Sequence, residues 1–240
     1  MNEIRNGNFT SSQIFRLCGT PSVAKTYIAK KNIERRLNDS IEGEAYSQAM
    51  AWGNFLEQRV HDLLGFDYIL CSDETDQHPT IKTWVGSKDF VVPWKRISEL
   101  KCYQLENFVL YTDALISRDI ELLKKEFTKE YWQGVSNAII NQVPNAELIS
   151  YCPFESELPE IVEMARDYIG SDMWKYRFIY ENTSLPCIKN DGYYNNLNRF
   201  EFEVPKEDIE FLTNKVIEYS KQLTPFYEPT KPRETKGIRA

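Results

Sequence analysis

Gly86-Ser87-Lys88-Asp89-Phe90-Val91-Val92-Pro93-Trp94-Lys95-Arg96-Ile97-Ser98-Glu99-Leu100-Lys101-Cys102 is the stretch on which the fold of this chain turns. It predicts a hairpin: a short apolar strand, a turn at Pro93-Trp94-Lys95-Arg96, and a second strand from Ile97 to Tyr103. In a strand, Glu99 and Lys101 point to the same face. Antiparallel pairing then brings Asp89 alongside them. Two carboxylates beside an ammonium are the groups that metal-assisted cleavage of a phosphodiester needs. The carboxylates hold a hard cation through oxygen; the cation activates water and neutralises charge on the phosphate. The lysine orients the attacking hydroxide or balances the developing negative charge.

The 240 residues are 42% hydrophobic and 27% charged, which suits one domain with ample core material. We expect that domain over residues 1–224 and a loose, proline-rich tail over 225–240. No apolar run approaches twenty residues, so no membrane span is expected. Met1 to Gly7 lacks the apolar stretch of a signal peptide. Cys18, Cys71, Cys102, Cys152 and Cys187 form no CxxC pair, which argues against a zinc or iron–sulfur site and for reduced thiols in a cytoplasmic protein. A net charge of −7 argues against a purely electrostatic nucleic-acid binder. A metal-dependent nuclease escapes that rule in part, because its site requires carboxylates and the cation restores positive charge. Three basic clusters, around Lys25 to Arg36, Lys124 to Lys129 and Lys231 to Arg239, read as solvated faces.

Working outward from the hairpin, Thr10 to Ser12 reads as the N-cap of a short helix ending at Gly19, and Pro21 opens a second helix to about Leu37. A longer helix spans Gly43 to Leu64, with Met50, Phe55, Leu56, Val60, Leu63 and Leu64 apolar. Strand-like runs follow at 66–71 and 83–86. After the hairpin, helices are expected at 105–114 and 119–141, a strand at 147–152, a helix at 161–168, a polar loop at 182–198, a strand at 199–204 and a helix from Pro205 to about Leu223. This order implies a mixed central sheet with helices on its faces, an α+β arrangement within the α/β class.

Glu57, in the middle of the third helix, is a candidate third carboxylate, binding a cation directly or through water. Gly53, one turn earlier, would let substrate come close. His61, at i+4 from Glu57, reads as an ordinary, partly buried histidine. Gln133, flanked by aromatics, is placed to hydrogen-bond the scissile phosphate or a water on the cation. Lys101 is expected to have a lowered pKa from burial near a cation, while remaining charged between carboxylates. Gly19 to Thr26 is a near-miss to a phosphate-cradling loop: Ala24 stands where the second glycine should be, and Pro21 removes an amide donor.

These patterns together resemble the phage lambda-type exonucleases, the viral recombinase branch of the PD-(D/E)XK nucleases. Arg5 to Ser12 is similar to that family's Arg-x-Gly-x-x-Thr-Ala-Ser segment. Ala49-Met50-Ala51-Trp52-Gly53 followed by Glu57 is similar to its Ala-Leu-Ala-Trp-Gly helix. Asp89 and Glu99-Leu100-Lys101-Cys102 reproduce its Asp…Glu-Leu-Lys-Cys spacing, and Tyr131-Trp132-Gln133 resembles its glutamine helix. The sequence departs from the family at Lys88, where a proline is usual, and at Gly134-Val135. The resemblance implies a restriction-endonuclease-like core. It implies that Asp89, Glu99 and the Leu100 carbonyl bind Mg²⁺ (or Mn²⁺ as a substitute), with Glu57 completing the shell. It implies that Lys101 positions the attacking water and Gln133 assists. It also implies that Arg5 and Ser12 hold the 5′-phosphate of a duplex DNA end, which suits an arginine fork and a helix N-terminus. The activity implied is 5′-to-3′ digestion of duplex DNA by a phage- or prophage-encoded enzyme in a bacterial cytoplasm. It would leave 3′ single strands for recombination, with a single-strand annealing protein as partner and a trimeric ring as assembly.

Two other readings stay open on the sequence. One is a RecB-like or CRISPR-associated nuclease of other polarity; the other is a non-catalytic protein that binds DNA ends.

Overall fold

The computed structural model describes residues 3–41, 47–71, 74–181 and 184–228. In chain order its elements are β1 (Phe9–Thr10), α1 (Phe15–Cys18), α2 (Pro21–Leu37), α3 (Gln48–Leu64), β2 (Ile69–Leu70), β3 (Asp76–Gln77), β4 (Trp84–Gly86), β5 (Phe90–Val92), β6 (Arg96–Lys101), α4 (Leu105–Ser117), α5 (Ile120–Glu126), α6 (Thr128–Asn141), β7 (Asn145–Tyr151), α7 (Leu158–Asp167), α8 (Arg177–Glu181), β8 (Leu197–Glu203) and α9 (Lys206–Ser220). Five strands form the main sheet in the order β2-β5-β6-β7-β8, and β1-β4-β3 form a small second sheet. The central pair β6–β7 is parallel, which requires the long α4–α6 crossover; the other neighbours in the main sheet are antiparallel.

Both faces of the main sheet are covered, so its central strands are buried on both sides. On one face Ile97, Leu148, Phe200 and Phe202 pack against Val135 and Ala138 of α6, with Leu212 and Val216 of α9 in the same core. On the other, Leu100, Ile149 and Tyr151 pack with Trp52, Leu56 and Val60 of α3 and Ile161 of α7. Each of the buried Val, Leu, Ile and Phe side chains contributes about 1.5–3 kcal/mol on full burial. Gly134 lets α6 lie tight on the sheet: a Cβ there would sit 3.3 Å from Leu148. β8 shows the clean period-two pattern, with Asn198, Phe200 and Phe202 inward and charged residues outward.

Several boundaries differ from the sequence expectations. The first helix is split into a 3₁₀ turn, Ser11–Gln13, and α1. Thr10 does not cap it, because Thr10 belongs to β1 and its hydroxyl lies 3.4 Å from the Tyr27 hydroxyl. α3 starts at Gln48, capped by Ser47; residues 43–46, included in the expected helix, lie outside the described residues. Met50 and Leu63 of that helix are exposed rather than core. The expected helix 119–141 is two helices, broken at Phe127 (φ −119°, ψ 45°). No glycine or proline marks that break in the sequence. Of the tail expected to be loose, residues 225–228 are described and lie against α2. Tyr227 N donates to the Arg35 carbonyl at 3.0 Å, and Asn38 Nδ2 donates to the Tyr227 carbonyl at 2.7 Å. The basic cluster from Lys231 lies outside the described residues. In the first basic cluster Lys31 and Arg35 are buried rather than solvated. No helix among the described residues is long and apolar enough to cross a membrane.

Candidate active site

The expected hairpin forms, with Val92 paired to Arg96 across Pro93, Trp94 and Lys95. Trp94 takes a left-handed conformation (φ 64°) at its tip. Asp89 immediately precedes β5. Its backbone N–H donates to the Ser98 carbonyl at 3.2 Å, and its Oδ2 accepts from Leu100 N–H at 2.6 Å. Pairing therefore locks Asp89 beside the Glu99–Lys101 segment. Lys101 Nζ lies 3.8 Å from Glu99 Oε2.

Glu99 is wholly buried. Gln133 Nε2 donates to its Oε2 and Asn137 Nδ2 to its Oε1, both from α6. Burial pushes the Glu99 carboxyl up to about 8, the Asp89 charge adds to the rise, and Lys101 opposes it. Burial likewise raises the Asp89 carboxyl against the pull of Lys101. For Lys101, burial favours the neutral amine, but the facing charges of Asp89, Glu99 and Glu130 outweigh it, and its pKa is raised. The facing acidic groups thus keep the ammonium charged, as expected of a lysine between carboxylates.

A cavity of about 370 Å³ opens at this end of β6. Glu57 and Gly53 of α3 line one wall; Asp89, Leu100 and Lys101 line the other, with Gln104 and Asn107 at the start of α4 beyond them. The structure thus brings Glu57, Asp89, Leu100 and Lys101 to one cavity, with Glu99 buried behind it. A Cβ on Gly53 would meet nothing within 4 Å, so space lies open above the helix there.

No family model and no curated protein matches this sequence. Solved structures do match its backbone. The alkaline exonuclease LHK-Exo from Laribacter hongkongensis, in its complex with dAMP, superposes with a TM-score of 0.61, covering 92% of this chain and 89% of that one at 17% identity. A phage-related exonuclease from Haemophilus somnus 129PT superposes with a TM-score of 0.57, covering 89% of this chain and 92% of that one, also at 17% identity. This chain has the fold of those exonucleases. The mixed, helix-flanked sheet expected from the sequence is that fold.

Within the shared fold, the donor set suits a small hard cation. Among the described residues no group of three or more His, Cys, Asp and Glu side chains is placed to hold a metal ion. What converges is two neighbouring carboxylates, with a third facing them across an open cavity. A hard cation that keeps several of its waters would need only one or two of these carboxylates. His61 is turned away from this role: its Nε2 lies 2.8 Å from the Tyr68 carbonyl and its ring stacks on Phe90. All five cysteines are free thiols.

Arg5 and Ser12 do not line this cavity. Their segment is held from two sides. Arg35 Nε donates to the Gly7 carbonyl at 2.7 Å and its Nη2 to Asn8 Oδ1 at 2.9 Å, while Glu34 Oε2 accepts from Gly7 N–H at 2.8 Å. Ser11 Oγ lies 2.8 Å from Ser136 Oγ on α6. Sequence reasoning missed Asn137 and the Tyr103–Glu130 bond of 2.6 Å. The available signal was Glu130, Gln133 and Asn137 at i, i+3 and i+7, polar residues on one face of the helix.

Proposed function

We propose that this chain is a divalent-metal-dependent deoxyribonuclease that digests duplex DNA from its ends, 5′ to 3′. The observation behind this is the convergence of Asp89, Glu99 and Lys101 at the end of β6, opening on a cavity faced by Glu57, in a fold shared with exonucleases. Asp89, Glu99, Glu57 and the Leu100 carbonyl would hold Mg²⁺ or Mn²⁺. The ion would neutralise charge on the phosphate and make water a better nucleophile. The Lys101 ammonium orients the attacking water and faces the charge that develops on the phosphate. Gln133 and Asn137 fix the Glu99 carboxylate so that it need not reorganise. Arg5 and Ser12, on the segment clamped by Arg35, would receive the 5′-phosphate. The sequence resemblance supports the 5′-to-3′ polarity, the recombination role, the annealing partner and a ring of three copies.

The test is digestion of a linear duplex labelled at one 5′ end, with 5′-phosphate or 5′-hydroxyl, in Mg²⁺ or chelator. Loss that requires metal and favours the 5′-phosphate is expected. No digestion of any linear duplex would overturn the exonuclease reading in favour of end binding without turnover.

A further inference from the structure

We propose that Asn137 is a positioning residue that sets the separation of Asp89 and Glu99, and with it the preference of the site for a small cation. The inference rests on the metal-dependent reading above.

Asn137 is fully buried on α6. Its amide nitrogen has two hydrogens, and both are used. One goes to Glu99 Oε1; the other goes to the Ser87 carbonyl at 2.8 Å. Glu99 lies on β6, and Ser87 is two residues before Asp89 on the chain leading into β5. One side chain therefore ties the two carboxylate-bearing segments to a single point on a rigid helix. Gln133, one turn earlier, donates to the other Glu99 oxygen. It sets the twist of that carboxylate, whereas Asn137 also fixes the strand beside it.

The orientation of this amide is dictated by its partners. Turned over, Oδ1 would face two acceptors. In the orientation present, Oδ1 is buried with no hydrogen-bond partner. An orphaned buried acceptor is unfavourable, and a residue that only filled space here would be apolar. Gly86 supplies the room: a Cβ there would come within 2.0 Å of Asn137 Oδ1 and 2.2 Å of Ser11 Oγ. The fold accepts an unsatisfied oxygen and a bare backbone to place one donor on Glu99 and the other on the Ser87 carbonyl, two residues before Asp89.

The consequence is a matter of ion size. Mg²⁺ demands near-ideal octahedral geometry with ligands at about 2.0–2.1 Å, whereas Ca²⁺ tolerates irregular shells at about 2.3–2.6 Å. Loosening the carboxylate spacing should penalise the smaller ion selectively. A purely structural role would weaken both ions alike.

The experiment is calorimetric titration of Mg²⁺ and of Ca²⁺ into wild type, Asn137→Ala and Asn137→Ser, each checked for folding by its melting curve. The expected result is a loss of Mg²⁺ affinity of about 10- to 100-fold, as for other residues that orient metal ligands, with a clearly smaller loss for Ca²⁺. On duplex DNA at saturating metal, kcat should fall while KM stays unchanged. Wild-type Mg²⁺ affinity in the folded variants, or equal losses for both ions, overturns this inference alone. A wild type that binds neither ion overturns the metal reading beneath it. Failure of both variants to fold would assign Asn137 to the core and overturn the proposal.

Discussion

Lys101 Nζ lies 3.8 Å from Glu99 Oε2 on the same face of β6, and the facing carboxylates, not burial, decide its charge. The ammonium is thus held charged beside the cavity. Removing it should remove a charge that matters in the transition state more than in the fold. We expect Lys101→Ala and Asp89→Ala each to reduce duplex digestion by about 10²- to 10³-fold or more, with a cooperative melting transition retained. Initial rates on linear duplex together with melting curves test this. Substantial activity in either variant would count against the site.

The raised Glu99 carboxyl makes a prediction for pH. In the unfolded chain Glu99 titrates near 4.5; in the fold, burial and the Asp89 charge move it to about 8. Below pH 4.5 both states hold the proton and stability is unaffected. Between 4.5 and 8 the unfolded state releases a proton that the folded state keeps, so stability falls as pH rises. Asp89, also raised by burial, adds to the same slope. Glu99→Gln should therefore flatten the fall in melting temperature expected for wild type without added metal between pH 5 and pH 8. Mg²⁺ should oppose that fall, because the cation compensates the ionised carboxylates. Parallel pH profiles for wild type and Glu99→Gln would refute the assignment.

A third prediction concerns how α3, which bears Glu57, is held. Arg59 Nη2 bonds Glu157 Oε1 at 2.9 Å, Nη1 bonds Glu160 at 2.9 Å, and Nε bonds the Tyr151 hydroxyl at 3.1 Å. Burial alone would raise the Glu157 carboxyl, but the Phe154 N–H, the Asn196 amide and Arg59 outweigh it and hold its pKa down. Arg59→Met should leave Glu157 and Tyr151 short of a partner, at a cost of about 1–3 kcal/mol. In a chain of this size that lowers the melting temperature by about 2–4 °C per kcal/mol. Double-mutant analysis with Glu157→Gln should show coupling between the two positions; additive losses would not fit the contact.

The hairpin was legible because its determinants are local. Alternation sets the faces of Glu99 and Lys101, and Pro93 marks the turn, so Asp89 falls into place without knowledge of the rest of the chain. β8 was legible for the same reason, since its side chains alternate between core and solvent. Gln133 was visible as a candidate, but its partner was not. Whether a buried amide reaches substrate or Glu99 depends on how α6 crosses β6, and that angle is set by packing such as Gly134 against Leu148. Asn137 was invisible for the same reason, since its two acceptors come from segments about 40–50 residues away in sequence. The break at Phe127 left no trace because no glycine or proline stands there to mark it. The docking of residues 225–228 on α2 was hidden behind a proline-rich composition that ordinarily signals a loose end.

The last prediction turns on Arg35. Its guanidinium reaches the Gly7 carbonyl, Asn8 Oδ1 and the Thr224 carbonyl at 2.9 Å, and it stacks on the Phe226 ring at 4.4 Å. It is thus the hub that fixes the segment bearing Arg5 and Ser12, without lining the cavity itself. If that segment receives the 5′-phosphate, loosening it should affect recognition of the end more than the cleavage step. Arg35→Lys keeps the charge but cannot span three acceptors from a single ammonium with the same planar fork. We expect Arg35→Lys to raise KM for 5′-phosphorylated duplex by about tenfold, a modest share of what misplacing a binding group can cost. KM for 5′-hydroxyl duplex should stay nearly unchanged, so the preference between the two ends shrinks. Melting curves separate this from lost stability, because a stability defect lowers activity on both ends together. Equal losses on both substrates would place Arg35 in the fold alone and remove the support it gives to a 5′-phosphate site at Arg5 and Ser12.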